Sequence, residues 1–358
     1  MGIKNLNKLI NDECGDIIIK CNFEQLRDKI IVIDTSIYLY KFKGNTNLFG
    51  YMYQMLLLFK KYNICPIFIF DGKPPEEKRN LLDERKKEKN IYQQKIKMIE
   101  NTLKCDSKDL DNDNKKDNEI INEQTQNIHL QLLSLKKRAV KINRHDINNI
   151  KTLFDLCNII YFDANGEADV LCANLVKNDI AWACLSDDTD LFVYDCPRVL
   201  RCIDMTNENI LFYDTRKILN RLNLSYKEFR MICVASGTDY LINKCKNNNI
   251  TYIMKLYREY KTSEYVKSDF YKWLQDNKII TNYTILNYIE TMFSDENNNL
   301  SNYKKVLEKK YISNNNISNN NISNNNISNN NIINYNININ NVEVNKFLED
   351  YNFVFIVG

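Results

Sequence analysis

Asn165-Gly166-Glu167-Ala168-Asp169 and Ser186-Asp187-Asp188-Thr189-Asp190 decide the reading of this 358-residue chain. Two carboxylate pairs stand about twenty residues apart. Between them Leu171, Leu175 and Val176 recur at helical spacing, and Gly166 sits just ahead of the helix start. Ala181-Trp182-Ala183-Cys184-Leu185 then makes a short apolar run, long enough for one buried strand. The order is acids, helix, strand, acids. A right-handed crossover brings both pairs to one sheet edge. Crowded carboxylates repel, and each takes up a proton unless cations hold them apart. Divalent metal is the economical reason to gather them. Either pair alone reads more readily as a helix-dipole complement or a turn. The rest of the chain shifts that balance.

Working outward, Ile30 to Ile33 is a β-branched run ending at Asp34, and Pro66 to Phe70 is a buried run ending at Asp71. Asn158 to Phe162 leads to Glu167 and Asp169, Ala181 to Leu185 to Asp188 and Asp190, and Val199 to Ile203 reads as a fifth strand. Residues 48–62 are apolar nearly all round, as in a buried helix. Strands alternating with helices predict an α/β fold with a mostly parallel, doubly wound sheet. Ligands of such sheets gather at the carboxyl ends of the strands. Four strands each deliver an acid there, which solubility does not explain.

Residues 76–151 are a different kind of sequence. Glu76 to Lys97 is densely charged, residues 105–127 are polar, and Leu130 to Ile142 carries helical apolar spacing with Lys136, Lys137, Arg138 and Lys141. This long crossover, basic on both limbs, reads either as an excursion over the acids suited to a phosphate-rich ligand or as a solvated hairpin. Tyr226 to Gly237 is an amphipathic helix ending at a C′ glycine, with Asp239 beyond it. Residues 241–311 read as helical. From Ile312 the pentad Ile-Ser-Asn-Asn-Asn repeats, and residues 312–341 read as a low-complexity segment that builds no core. Residues 342–358 are apolar enough to dock as a strand or helix.

Composition narrows the function classes. Net charge is +3, so nucleic-acid affinity has to come from local patches. Eleven cysteines without a close pair, several in apolar runs, predict reduced core thiols in an intracellular protein. His129 and His145 are the two histidines, too few for a histidine-rich zinc site. The opening Met1-Gly2-Ile3-Lys4-Asn5-Leu6 has no signal-peptide apolar core, and no run is long enough to span a bilayer.

Taken together, these strings resemble the flap endonuclease (XPG) family of structure-specific 5′ nucleases. The resemblance runs in order from Met1 to about Tyr240. It is carried by Met1-Gly2-Ile3, Val32-Ile33-Asp34, Ser36-Ile37-Tyr38, Phe70-Asp71-Gly72-Lys73-Pro74-Pro75, Gly166-Glu167-Ala168-Asp169, Asp188-Thr189-Asp190 and Gly237-Thr238-Asp239-Tyr240. It implies a PIN-like nuclease core over residues 1–240, with residues 76–151 as a helical arch, and a helical C-terminal region. It also implies an active site of Asp34, Asp71, Glu167, Asp169, Asp188, Asp190 and Asp239 around two Mg²⁺ ions, for which Mn²⁺ can substitute. Lys78 and Arg85, seven residues apart on one helical face, match the family's basic pair at the scissile phosphate. Tyr40 matches an aromatic that stacks on a base, and Gly2 lies at a terminus placed close to DNA.

Three departures stand out. Asp169 replaces the usual Glu and is one methylene shorter. Residues 241–311 would be a degenerate helix-hairpin-helix region, because Lys244-Cys245-Lys246-Asn247-Asn248-Asn249 lacks the family's glycines. Lys244 and Lys246 could still touch phosphates. No sliding-clamp motif is visible. These features look more like a viral, poxvirus-type member than a cellular one. The expected partner is branched or nicked DNA with a 5′ end, bound by a monomer away from any membrane. The expected location is the nucleus for a cellular protein and the host cytoplasm for a viral one. The competing reading is a non-catalytic DNA-structure-binding recombination factor. Against it, every implied catalytic carboxylate position is still acidic.

Overall fold

The computed structural model describes residues 2–106, 117–240, 249–263, 269–293, 300–315, 337–339 and 342–351. Its seven strands are β1 (Ile19–Asn22), β2 (Ile30–Asp34), β3 (Cys65–Phe70), β4 (Ile160–Asp163), β5 (Ala183–Leu185), β6 (Arg198–Asp204) and β7 (Asn209–Asp214). The helices before the third strand are α1 (Leu6–Cys14), α2 (Thr35–Gly44) and α3 (Leu48–Lys61). Those of the crossover are α4 (Arg79–Asp106), α5 (Asp117–Arg138) and α6 (Arg144–Leu156). Then follow α7 (Ala168–Lys177), α8 (Asp190–Val193), α9 (Thr215–Leu222) and α10 (Tyr226–Ser236). The C-terminal region supplies α11 (Ile250–Thr262), α12 (Phe270–Asp276), α13 (Tyr283–Phe293), α14 (Ser301–Asn315) and α15 (Val342–Asp350).

The strands form one sheet in the order β1-β7-β6-β5-β2-β3-β4. The run from β6 to β4 is parallel, and β7 and β1 add antiparallel at one edge. Every residue of β2 and β3 is buried, so helices cover both faces there. That is why these strands read as unbroken apolar runs. The two antiparallel strands were not legible: β1 is mostly exposed and β7 only partly buried. β1 lacks an apolar run, whereas the run Ile210 to Tyr213 of β7 was passed over because it ends in no acid of the cluster.

The chain moves outward from β2 through β3 to β4, then returns to place β5 on the other side of β2. The crevice between β2 and β5 is therefore the topological switch point of the sheet. Gly72 helps close the neighbouring turn. A Cβ there would fall 2.0 Å from the Ala164 carbonyl oxygen, and the Gly72 N–H donates 2.8 Å to the Gly166 oxygen. Only glycine permits such an approach.

The structure shifts two expected boundaries. The arch was read as residues 76–151, but α6 starts at Arg144 and buries Ile150, Leu153 and Phe154, with Phe154 4.3 Å from Phe68 of β3. Residues 144–151 therefore belong to a helix that packs on the core through one face, and the basic hairpin is α4 and α5 alone. Helix α5 also reaches back to Asp117, into the polar stretch 105–127. The coreless segment was read as residues 312–341, but Ile337 and Ile339 are buried, and the Asn338 N–H donates to the Cys157 oxygen at 3.0 Å. The repeats at Ile317, Ile322 and Ile327 lie outside the described residues. Helix α15 follows and buries Val344 and Leu348. Its Phe347, with Tyr351 just past its end, packs on Phe49 of α3 at 5.8 and 4.0 Å. Among the described residues no helix is long and apolar enough to cross a membrane.

Candidate active site

Asp34 is the last residue of β2 and precedes α2 directly, so its side chain opens at the carboxyl end of the sheet. It is almost fully buried. Across the switch point the Ser186 hydroxyl donates to Asp34 Oδ2 at 3.0 Å. Asp71 follows β3. It accepts from the Ser36 hydroxyl at 2.5 Å and, at 2.9 Å, from the N–H of Ala168, the first residue of α7. An anion on a helix N-terminus is stabilised by the exposed N–H groups and the dipole. Glu167 is the N-cap residue of α7 and Asp169 lies in its first turn. Asp188 and Asp190 flank the start of α8, with the Asp190 N–H on Asp188 Oδ1 at 3.2 Å. Asp239 comes from beyond the end of α10.

Burial, followed by the charges of Asp71 and Asp188, pushes the Asp34 carboxyl up to about 7. Asp169 is pushed well up by burial, then by Asp34, Asp188 and Asp190. Asp190 is pushed well up by burial and Asp188, against the pull of Lys78. The sequence reading of crowded acids thus describes one real cluster. Asp187 is the exception. It turns away to the Cys202 N–H at 2.8 Å and the Lys41 ammonium at 3.4 Å.

Two cations reach the cluster from the basic hairpin. Lys78, just before α4, is buried and puts Nζ 2.6 Å from Glu167 Oε1. Burial alone would pull its amine down, but the charges of Glu167 and Asp190 and the hydrogen bond to Glu167 outweigh that and push it up, so it stays charged. Two turns later Arg85 donates to Asp239 Oδ2 at 2.7 Å. Tyr40 is two-fifths exposed, with the Lys89 ammonium 4.2 Å from its ring centre. Gly2 lies against the acid loop. A Cβ on it would fall 2.3 Å from Asp188 Oδ1 and 2.6 Å from Asp190 Oδ1, and its φ of +81° also favours glycine. The neighbouring Ile3 N–H bonds the Thr189 hydroxyl at 2.9 Å. Lys244 and Lys246 lie outside the described residues.

The donor set is suited to a hard divalent cation, being carboxylate oxygen throughout. Asp190 Oδ1 is buried with no hydrogen-bond partner, a carboxyl oxygen left open for a cation. Among the described residues no three acid, histidine or cysteine side chains stand as a finished metal cage. Asp34, Asp71 and Glu167 each accept a bond, from Ser186, Ser36 and Lys78 respectively. The fit is therefore one of donor chemistry and burial, with rotamer adjustment required.

Sequence reasoning singled out the acids and both cations. Ser36, Ser186 and Tyr240 stood inside quoted motifs without an assigned role. Tyr194, whose hydroxyl lies 2.8 Å from that of Tyr240, carried no local signal.

Comparison with known proteins agrees with this geometry. Residues 1–92 match the XPG N-terminal domain and residues 158–239 the XPG I-region, together spanning the strands and helices that carry all seven acids. A probable RAD2-like endonuclease of Invertebrate iridescent virus 6 is 27% identical over 329 residues, covering 81% of this chain and 78% of that one. Flap endonuclease 1 of Methanococcus aeolicus is 26% identical over 302 residues, covering 79% and 84%. The catalytic core of Rad2 in complex with DNA substrate shares the fold with a TM-score of 0.53 at 19% identity, over 87% of this chain and 80% of that one. Flap endonuclease-1 from Methanococcus jannaschii does so with 0.51 at 23% identity, over 78% and 82%. With both regions in order on one sheet and the acids of both meeting at its switch point, the chain carries an XPG N-terminal domain and an XPG I-region and is similar to RAD2-like and flap endonucleases.

Proposed function

We propose that the chain is a Mg²⁺-dependent, structure-specific 5′ nuclease that hydrolyses phosphodiesters of branched or nicked DNA at 5′ flaps, nicks or junctions. One observation carries the reading: acids from β2, the β3 turn, α7, the β5–α8 loop and the end of α10 meet where Lys78, just before α4, and Arg85 of α4 touch them. Asp34, Asp71, Glu167, Asp169, Asp188, Asp190 and Asp239 are the residues that would hold two Mg²⁺ ions, with Mn²⁺ as substitute. When bound, such ions supply a water of lowered pKa and take up charge on the leaving oxygen.

The remaining work falls to the chain itself. Lys78 and Arg85, at the rim of the acids, suit a scissile phosphate, and a guanidinium keeps its proton throughout. Tyr40 offers an exposed ring for a base next to the cut. The α4–α5 hairpin supplies positive charge above the site, with its limbs tied by Lys136–Glu100 at 2.8 Å. Residues 1–240 act as the nuclease core and residues 241–311 as the duplex-binding region, where Lys244 and Lys246 contact phosphates. The protein acts as a monomer inside the cell, in the nucleus or in the cytoplasm of a virus-infected host. A purely structural DNA-binding role gains nothing from keeping so many buried acids together, since they oppose a polyanion.

Incubation of labelled 5′-flap DNA with the protein tests the reading. Cleavage with Mg²⁺ and none with EDTA supports it. Binding without cleavage in any divalent metal ends it.

A further inference from the structure

The hydroxyls of Tyr194 and Tyr240 meet at 2.8 Å, and both rings are at least nine-tenths buried. Tyr240 also donates to Glu167 Oε2 at 2.5 Å. A phenol has one hydrogen to give. With that of Tyr240 committed to the carboxylate, the 2.8 Å bond is donated by Tyr194. The chain of donation is directional: Tyr194 to Tyr240 to Glu167. Donation into Tyr240 polarises its O–H and strengthens the bond it makes onward.

Tyr240 grips the other half of the ion pair as well. Glu167 Oε1 takes the Lys78 ammonium at 2.6 Å, and that ammonium lies 4.5 Å from the Tyr240 ring centre. One side chain therefore holds the anion by its hydroxyl and the cation by its face. Phe293, the last residue of α13, packs on both rings, 4.9 Å from Tyr194 and 5.3 Å from Tyr240. A glutamate has three side-chain torsions and a lysine four. Neither would hold one orientation at the edge of a site without such support.

We propose that Tyr194 is a positioning residue of the nuclease, acting through Tyr240 to fix the Glu167 carboxylate and the Lys78 ammonium. The proposal rests on the nuclease reading above. Its plain competitor is that two buried phenols simply satisfy each other.

Tyr194→Phe, Tyr240→Phe and the double variant separate the two. Each keeps its ring against Phe293 and loses only a hydroxyl. Three measurements apply to each protein: single-turnover cleavage of a 5′ flap at saturating enzyme with Mg²⁺, flap affinity in EDTA, and acetic anhydride labelling of Lys78 without metal or DNA. Y194F is expected to slow cleavage roughly fivefold to tenfold, the size of one neutral hydrogen bond. Y240F is expected to slow it on the order of 10- to 100-fold, because its bond is to a charged group. The double variant should match Y240F alone, since Tyr194 acts through the hydroxyl already removed. Flap affinity should stay within about twofold, because the chemical step and not binding is affected. Lys78 labelling should rise in Y194F and further in Y240F, with exposed Lys255 labelled equally in all.

Multiplicative rate losses in the double variant would overturn the proposal. So would a Y194F protein with unchanged rate and unchanged Lys78 labelling. If the wild-type protein cuts nothing, the nuclease reading falls, and the labelling series alone still decides whether Tyr194 orders Lys78.

Discussion

Arg85 of the rising arch helix donates to Asp239 at 2.7 Å, across 154 residues of chain. The arch is thereby fastened to the acid cluster at its far side, as Lys78 fastens it to Glu167 nearer its base. Both cations thus border the acids, where the proposed nuclease would hold its scissile phosphate.

Arg85→Ala and Lys78→Ala should each slow single-turnover cleavage on the order of 10²–10³-fold, the loss typical of one preorganised donor. Binding should weaken far less. Ordinary surface charges would instead give near-normal rates and slightly weaker, salt-sensitive binding. Rates within a few-fold of wild type for both variants would remove the arch from the mechanism.

Asp188→Asn should abolish cleavage and leave flap binding near the wild-type value. The substitution keeps the shape of a buried side chain between Ser186 and Asp190 and removes one charge. Turnover comparable to wild type would exclude Asp188 from the metal site.

Glu228 gives a pH prediction away from the acids. Burial would raise its carboxyl, but hydrogen bonds from Lys261, Tyr257 and Ser225 overcome that and pull it down to about 2 from an ordinary 4.5. A depressed carboxyl adds stability that is fully present above its unfolded pKa and is lost as pH falls through its folded pKa. The window is therefore from about 4.5 down to about 2. Glu228→Gln should melt lower than wild type at pH 7, and the gap should close through that window. A gap independent of pH would show that shape, not charge, holds α10 to α11.

Leu348→Ala tests the docking of α15. The side chain is fully buried, so truncation should cost about 2–5 kcal/mol. Thermal melting should fall, with the rate per folded molecule unchanged. An unaltered melting temperature would mean that the C-terminal helix does not contribute to the fold.

Local sequence was enough for the inner sheet and its acids. Ile30–Ile33 and Pro66–Phe70 are apolar throughout because both faces of the sheet are covered, and each run ends in the acid that the strand delivers. Parallel strands send all those ends to one edge, so the order of runs already grouped Asp34, Asp71, Glu167, Asp169, Asp188 and Asp190. The antiparallel strands β1 and β7 escaped: β1 is mostly exposed, and the short run Ile210 to Tyr213 of β7 delivers no acid to the cluster.

Tertiary structure alone decided the partnerships. Arg85 with Asp239, Lys78 with Glu167, and Tyr194 with Tyr240 and Phe293 join segments whose local propensities say nothing of one another. Likewise the return of Ile337, Ile339 and α15 to the core depends on where α3 and α6 leave a surface to cover. Periodicity encodes which face of an element is buried. Which element buries it is set by topology and packing, and only the folded chain displays that.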